Sequence, residues 1–270
     1  MTKARKRFPK AYIHLYVHFL ETWRKKKKKT DRHSEDFGLQ NAKRLLDKYR
    51  SRVPCFNDDI QGTGCVTLAA IMSALRVNGT ALKDARIVIF GSGTAGIGIA
   101  DQVCDAIAEE ACISDNEAAR QIWCLDKQGL LLKSQGDQLT SAQGLFARDN
   151  AEWGAKDVLD LLSVVKAVKP HVLIGTSTKP KAFTEEVIRE MGKHVQRPIV
   201  FPLSNPTRLH EADPKDVNDW TDGRALIATG SPFPPVERDG TKYEVGEWCQ
   251  PMCSINQSLN YACCLLTLEL

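Results

Sequence analysis

Four short apolar runs, separated by helix-like segments, constrain the fold of this chain more than any other feature of its sequence. The runs are RIVIF, IWCLD, HVLIGT and PIVFPLSN, which begin at residues 86, 122, 171 and 198. None shows the polar alternation of a strand with one face in water, so each is expected to be buried on both faces. A fifth run, RALIATGS at 224–231, has the same character. The pattern predicts an α/β fold, a doubly wound parallel sheet with helices on both faces.

Helical periodicity fills the segments between these runs. The predicted helices lie at 41–50, 64–76, 94–110, 157–169 and 183–194. No internal repeat and no long linker interrupts residues 35–246, so we interpret that region as one domain. Residues 1–34 are expected to be a basic, disordered or misannotated segment, and residues 247–270 an aberrant tail.

A glycine-rich turn, GSGTAG, follows the first apolar run and precedes a helix. In a dinucleotide-binding turn, Gly91 would permit the tight bend, Gly93 the approach of a pyrophosphate, and Gly96 close packing of the helix. The next run ends at Asp126, whose carboxylate could accept hydrogen bonds from an adenosine ribose, although the gap is longer than the roughly 20 residues usual for such an acid. The order of strand, helix, strand and acid predicts a Rossmann-like fold that binds a dinucleotide.

The charge is unevenly distributed along the chain. Residues 1–34 contain twelve Lys or Arg against Glu21 and Asp31, a charge of +10, so the rest carries −6 of the total of +4. A nucleic-acid-binding surface is therefore not expected on the folded body. The run RKKKKK at 24–29 is typical of a solvated charge block, and the alternative is a polyanion-binding patch.

The nine cysteines form an odd set without a CxxC pair, which favours reduced intracellular thiols. No run approaches the roughly 18 apolar residues of a membrane span, and the N-terminus lacks a small-residue cleavage site. We therefore expect a cytoplasmic or mitochondrial protein rather than a secreted one, with no membrane contact.

Two pairs of adjacent acids complete the set of candidate functional residues. Asp58 and Asp59 precede a glycine-rich turn, and Glu35 and Asp36 lie upstream. In one interpretation, an aspartate caps the helix that begins near Thr63 while its neighbour faces water. In the other, the carboxylates converge on Mg²⁺ or Mn²⁺, which removes their mutual repulsion.

The chain resembles malic enzymes, the NAD(P)-dependent oxidative decarboxylases of malate. The resemblance covers about 35–246 and rests on motifs in the order of the family: EDFG, LLDKYR, CFNDDIQGTG, FGSGTAGIGIA, KPHVLIGTS, FTEEVIREM, LSNPT and ATGSPFPPV, with FPKAYIHL at 8–15. It implies that malate is the substrate and pyruvate the product, and that the protein is a homo-oligomer.

The resemblance also implies roles for individual residues. Glu35, Asp36 and Asp59 match the metal ligands of the family, and Asp58 matches an acid that supports proton transfer. Asn205 matches a residue that contacts substrate and nicotinamide. Gln143 stands where NADP-preferring members tend to carry lysine, which favours NAD, with NADP as the alternative.

Three departures from the family pattern qualify this expectation. The tyrosine acid and lysine base of the family have no counterpart by motif in this sequence. The segment 16–34 separates FPKAYIHL from EDFG, and we interpret it as a translated intron, with a genuine basic insertion as the alternative. The tail 248–270 resembles nothing in the family. The chain is therefore expected to be either part of an active malic enzyme or an NAD-binding module without catalytic activity, and the third candidate is a basic polyanion-binding protein.

Overall fold

The computed structural model of the protein describes residues 39–49, 57–154, 159–238 and 240–247. The predicted metal ligands Glu35 and Asp36 lie outside the described residues, as do the basic segment 1–34 and the tail from residue 248 onward.

Nine strands and eight α-helices form the described part of the chain. The strands are β1 (Ile87–Phe90), β2 (Ile122–Asp126), β3 (Gly129–Leu130), β4 (Val172–Gly175), β5 (Ile199–Pro202), β6 (Leu226–Thr229), β7 (Val236–Arg238), β8 (Thr241–Tyr243) and β9 (Gly246–Glu247). The helices are α1 (Leu39–Tyr49), α2 (Thr63–Asn78), α3 (Thr94–Ala111), α4 (Asp115–Ala118), α5 (Ser141–Gly144), α6 (Leu161–Val168), α7 (Glu185–His194) and α8 (Pro214–Trp220).

Seven strands form one sheet in the order β3-β2-β1-β4-β5-β6-β9, and β7 and β8 form a separate hairpin. All neighbours in the large sheet are parallel except β2 and β3. The chain first moves outward from β1 to β2 and later returns to the other side of β1 as β4. In such sheets, ligands bind at the carboxyl ends of the strands, beside this reversal of direction.

The two faces of the sheet are covered by two separate hydrophobic clusters. Ile87 and Ile89 of β1 belong to the cluster that contains residues of α2 and α3, whereas Val88 belongs to the cluster that contains residues of α6, α7 and α8. Successive side chains of a strand point to opposite faces, so both faces of β1 are buried. The predicted α/β doubly wound, Rossmann-like fold is confirmed.

The predicted strands and helices are all present, with shifted ends. The helix expected over 157–169 begins only at Leu161, because the Asp160 side chain accepts a hydrogen bond from Ser163 N at 2.7 Å and caps the first turn. The sequence did not predict the short α8, which Asp213 caps and Pro214 begins. It also did not predict the β7–β8 hairpin, whose strands have three residues each.

A π-helix, Asp58–Gly62, leads directly into α2. By length and composition, the continuous run Asp58–Asn78 could cross a membrane, which the sequence did not predict. This is weak evidence, since core helices pass the same test. Ala70, Ile71 and Leu75 of α2 lie buried in the hydrophobic cluster shared with α3.

Candidate functional site

The glycine turn after β1 adopts a conformation that its glycines make possible. Gly91 has a φ of +114°, a conformation that residues with a Cβ rarely adopt, and a Cβ there would collide with the backbone of Thr176. A Cβ on Gly96 would collide with the carbonyl oxygen of Gly91. The turn therefore requires glycine at both positions, as the sequence predicts for a dinucleotide-binding loop.

Gly93 is the residue before α3, and its backbone is extended, with a φ of −78°. No side chain caps this helix. The first backbone N–H groups of a long helix without a cap are donors that suit a phosphate. The role of Gly93 in admitting a pyrophosphate stays a prediction.

Asp126 ends β2, beside the glycine turn. One carboxylate oxygen accepts a hydrogen bond from Lys127 N at 2.8 Å, and the other accepts one from the side-chain amide of Gln143 at 3.3 Å. The same amide donates to Ser92 O at 2.9 Å. Gln143 is only 7% exposed, so it forms a fixed bridge between the predicted ribose acceptor and the glycine turn.

A cavity of about 170 Å³ opens at the carboxyl ends of β4, β5 and β6. Two residues predicted for the site, Asp59 and Asn205, line it together. The other lining residues are Thr63, Ala95, Thr176, Thr178, Leu203, Ser204 and Gly230. Ala95 belongs to the first turn of α3, so the cavity lies next to the predicted pyrophosphate site.

The paired aspartates before α2 have different environments. Asp58 is 4% exposed, whereas Asp59 lines the cavity. The side chain of Asn57 caps this turn and accepts a hydrogen bond from Ile60 N at 3.0 Å. The helix that begins at Thr63 has Gly62 at its N-cap and no side-chain cap, so the interpretation that an aspartate caps this helix is wrong.

The cavity contains the donor types that a hard divalent cation prefers. Its polar side chains carry the carboxylate of Asp59, the amide of Asn205 and hydroxyls, without a thiol or an imidazole. Within the described ranges, no group of three or more His, Cys, Asp or Glu side chains forms a metal site. The carboxylate of Asp59 is of the donor type that suits Mg²⁺ or Mn²⁺, and the other two predicted ligands, Glu35 and Asp36, lie outside the described residues.

Several residues of the site were missed by sequence reasoning. Thr176 and Thr178 follow β4 and line the cavity, and Ser204 follows β5. The hydroxyl of Thr176 donates to Gly91 O at 2.6 Å, which ties the loop after β4 to the glycine turn. Hydroxyl residues directly after a buried strand are the signal that could have identified them, since this edge of the sheet forms the site.

Asn205 is fixed on one side by a neighbouring loop. Its side-chain oxygen accepts a hydrogen bond from the Ser231 hydroxyl at 2.5 Å. His210 is 5% exposed, and its ring lies 5.0 Å from the ring of Phe233. Burial lowers the pKa of His210, so the imidazole is favoured in its neutral form.

The chain matches the family model "Malic enzyme, NAD binding domain" over residues 60–250. NAD-dependent malic enzyme 3 of Bacillus subtilis is 50% identical over 221 residues, which cover 80% of this chain and 39% of the relative. The mitochondrial NAD-dependent malic enzyme of Saccharomyces cerevisiae is 51% identical over 205 residues, which cover 76% and 30%. A malolactic enzyme of Lactiplantibacillus plantarum is 50% identical over 216 residues, which cover 80% and 39%. The chain thus spans less than half the length of these relatives.

Solved structures agree with the sequence comparison. The malic enzyme of Entamoeba histolytica superposes with a TM-score of 0.59 at 25% identity, and the match covers 75% of this chain and 39% of that one. The malic enzyme of Pyrococcus horikoshii gives a TM-score of 0.58 at 26% identity, with 75% and 44% covered. The family model, the similar relatives and the fold agree, and the chain belongs to the malic enzyme family, of which it contains the NAD-binding domain.

Proposed function

We propose that this chain is the NAD-binding portion of an enzyme that oxidatively decarboxylates (S)-malate to pyruvate and CO₂ with reduction of NAD. The observation that carries the proposal is the shared cavity of Asp59 and Asn205, beside the glycine turn of an NAD-binding fold. A carboxylate suits a cation, a side-chain amide suits a hydroxy acid, and a helix N-terminus suits a pyrophosphate.

The residues around the cavity divide these tasks. The N-terminus of α3 binds the pyrophosphate through backbone N–H groups, and Asp126 accepts hydrogen bonds from the adenosine ribose. This places the adenine half over β2 and the nicotinamide half over β4 and β5. Asn205 then faces both the nicotinamide and the substrate.

The metal site of the proposal consists of Glu35, Asp36 and Asp59, which would hold Mg²⁺ or Mn²⁺. An ion held there would supply Lewis-acid chemistry to the substrate. Asp58, largely buried beside Asp59, has the supporting role of an acid that faces the proton-transfer site. The proposal assigns no general acid or base to this chain.

The preference for NAD over NADP is part of the proposal. Asp126 would repel the 2′-phosphate of NADP, and Gln143 offers no positive charge to offset it. The relatives named NAD-dependent support the same choice. We further propose that the protein assembles as a homo-oligomer and acts in the cytoplasm or the mitochondrion, since one relative is named mitochondrial.

A second candidate function has a specific observation in its favour. A malolactic enzyme is as similar to this chain as the NAD-dependent malic enzymes are. Conversion of malate to lactate and CO₂ involves no net oxidation, so it would not accumulate NADH. The third candidate is an NAD-binding module without turnover, which fits a chain that spans 30% to 39% of these relatives.

One assay separates the two reactions and tests NAD binding. Purified residues 1–270 are supplied with malate, NAD and Mn²⁺, and NADH, pyruvate and lactate are measured together with NAD binding by calorimetry. NADH and pyruvate in equal amounts support oxidative decarboxylation, and lactate without NADH supports the malolactic reaction. NAD binding without any product is expected both of the NAD-binding portion alone and of the module, and absence of NAD binding contradicts the proposed function.

A further inference from the structure

Glu211 is a fully buried carboxylate next to the candidate site, with 0% of the residue exposed. It lies between the short 3₁₀-helix Thr207–Leu209 and α8. Glu211 is not among the residues that the sequence predicts for the site, and it does not line the cavity. Burial of an ionised carboxylate is costly unless hydrogen bonds or a cation compensate it.

Two serines from different loops provide that compensation. One oxygen of Glu211 accepts hydrogen bonds from Ser177 N and the Ser177 hydroxyl, both at 2.8 Å, and from the Ser204 hydroxyl at 2.5 Å. The other oxygen accepts from Ser204 N at 3.4 Å. Among the described residues, Glu211 takes part in no ion pair. The carboxylate therefore depends on these four donors.

The network extends from the serines to the backbone of the loop after β4. The Ser204 hydroxyl accepts a hydrogen bond from Thr178 N at 2.8 Å, and the Ser177 hydroxyl accepts one from Lys179 N at 3.1 Å. A carboxylate can only accept hydrogen bonds, so both serine hydroxyls must donate their hydrogens to Glu211. The lone pairs of the hydroxyl oxygens then accept from the N–H groups of Thr178 and Lys179. Glu211 thus selects one arrangement of the two loops.

These two loops form most of one wall of the cavity. Ser177 lies between the lining residues Thr176 and Thr178, and Ser204 lies between the lining residues Leu203 and Asn205. Fixing the two serines therefore fixes their cavity-lining neighbours. The end of β4 also leaves room for the carboxylate, because a Cβ on Gly175 would lie 2.5 Å from Glu211 Cδ.

We infer that Glu211 is a positioning residue for the nicotinamide half of the dinucleotide. It acts through Ser177 and Ser204, which hold the loops after β4 and β5 against each other around the cavity. The adenine half, over β2, depends on Asp126 and the glycine turn and not on this network. The inference rests on the proposed function in one respect, namely that the cavity receives the nicotinamide.

Comparison of two ligands tests this role directly. ADP-ribose contains the adenosine, both phosphates and a ribose, but lacks the nicotinamide. In Glu211→Gln, an NH₂ group replaces one carboxylate oxygen. This NH₂ group would face the N–H and O–H donors of the two serines and could not accept their hydrogen bonds. We expect calorimetry of residues 1–270 to show the Kd for NAD raised about tenfold by this substitution, since hydrogen bonds to a charged group are stronger than neutral ones. The Kd for ADP-ribose should change by less than about twofold.

A matched control tests whether replacing any buried glutamate weakens the binding of NAD. Glu190→Gln makes the same chemical change on α7, where the carboxylate binds Lys193 and His194 instead of the loops. It should leave both dissociation constants unchanged. Equal weakening of NAD and ADP-ribose by Glu211→Gln, or no weakening of either, would overturn the inference.

Two milder variants extend the test to the case where Glu211→Gln does not fold. Ser177→Ala and Ser204→Ala each remove a hydroxyl from the network and should weaken the binding of NAD by a few-fold without weakening that of ADP-ribose. If the ratio of the NAD and ADP-ribose affinities equals that of the unaltered chain, the inference is overturned. Absence of NAD binding by the unaltered chain would overturn the proposed function together with this inference. NAD binding that none of these variants changes would overturn this inference alone.

Discussion

The side-chain amide of Gln143 donates a hydrogen bond to the carboxylate of Asp126 at 3.3 Å. The same amide holds Ser92 O of the glycine turn, and its oxygen accepts from Thr140 N at 2.9 Å. One neutral side chain therefore connects the acid that would contact the ribose with the loop that would contact the pyrophosphate. The charge of the side chain at position 143 should therefore influence whether NAD or NADP is bound.

Gln143→Lys should shift the cofactor preference toward NADP. The ammonium would lie beside Asp126, offset its charge and attract a 2′-phosphate. We expect the ratio of the dissociation constants for NADP and NAD to fall by about tenfold, a change of about 1.4 kcal/mol. Gln138→Lys places the same charge on an exposed position of the 3₁₀-helix Lys133–Gln138 and serves as control. An unchanged ratio in Gln143→Lys would show that Gln143 does not determine the preference for NAD over NADP.

Gly96→Ala should damage both the fold and NAD binding. The added methyl would collide with Gly91 O, so α3 would have to move away from the turn. Overpacking of this kind costs about 1–3 kcal/mol in the free energy of unfolding, and the NAD affinity should fall at least about tenfold. Denaturant titration and calorimetry measure the two effects.

Gly144→Ala is the matched control for that substitution. A Cβ at position 144 meets no atom within 4 Å, and alanine is the better helix former by about 1 kcal/mol. This variant should be as stable as the unaltered chain or slightly more so, with unchanged NAD affinity. Equal behaviour of the two alanine variants would contradict the structural requirement for glycine in the turn.

Stability should decrease as the pH falls below about 6.5, the ordinary pKa of histidine. Burial lowers the pKa of His171 and of His210, and His171 Nδ1 accepts a hydrogen bond from Arg86 N at 3.0 Å. The unfolded chain therefore binds more protons than the folded one in this range. The free energy of unfolding rises with pH, and the full contribution of these two histidines is present above the unfolded pKa. Urea titrations at pH 7.5 and 5.5 should show the lower midpoint at pH 5.5.

His210→Phe should flatten this pH dependence. Both ring nitrogens of His210 are buried without a hydrogen-bond partner among the described residues, so an aromatic hydrocarbon removes an unsatisfied polar group worth about 1–3 kcal/mol. His194→Gln, on α7, should not flatten it, because His194 lies at an exposed position, where it contacts Glu190. A pH dependence unchanged in His210→Phe would show that His210 does not contribute to it.

Asp59→Asn should weaken Mn²⁺ binding by about tenfold or more while NAD binding is retained, because removal of one anionic oxygen ligand reduces the attraction for a hard cation. Free Mn²⁺ can be followed by electron paramagnetic resonance. Asp137→Asn, at an exposed position, provides the control for loss of one negative charge. Equal Mn²⁺ affinity in the two variants would place the metal elsewhere.

The sequence was a good guide where one local pattern determines the structure. Apolar strands such as Ile87–Phe90 predicted a sheet buried on both faces, and the spacing of Gly91 and Gly96 predicted a turn that excludes side chains. Both are properties of consecutive residues, so periodicity and spacing contain them.

Relationships between distant residues were accessible only in part. The family resemblance assigned Asp59 and Asn205 to one site, but no spacing rule could bring them to one cavity. Glu211 could not be predicted, because its role depends on donors from two loops that meet only after the sheet forms. The hairpin β7–β8 was missed because its strands are too short for alternation to be visible.

We propose that the divalent ion and the nicotinamide occupy one cavity, which Asp59 and Asn205 line. Paramagnetic broadening of the proton resonances of NAD by Mn²⁺ measures it most directly, with Mg²⁺ and the Asp59→Asn variant as references. We expect strong broadening of the nicotinamide protons and little broadening of the adenine protons, and we expect the broadening to be lost in Asp59→Asn. Equal broadening at both ends of NAD, or broadening that persists in Asp59→Asn, would contradict it.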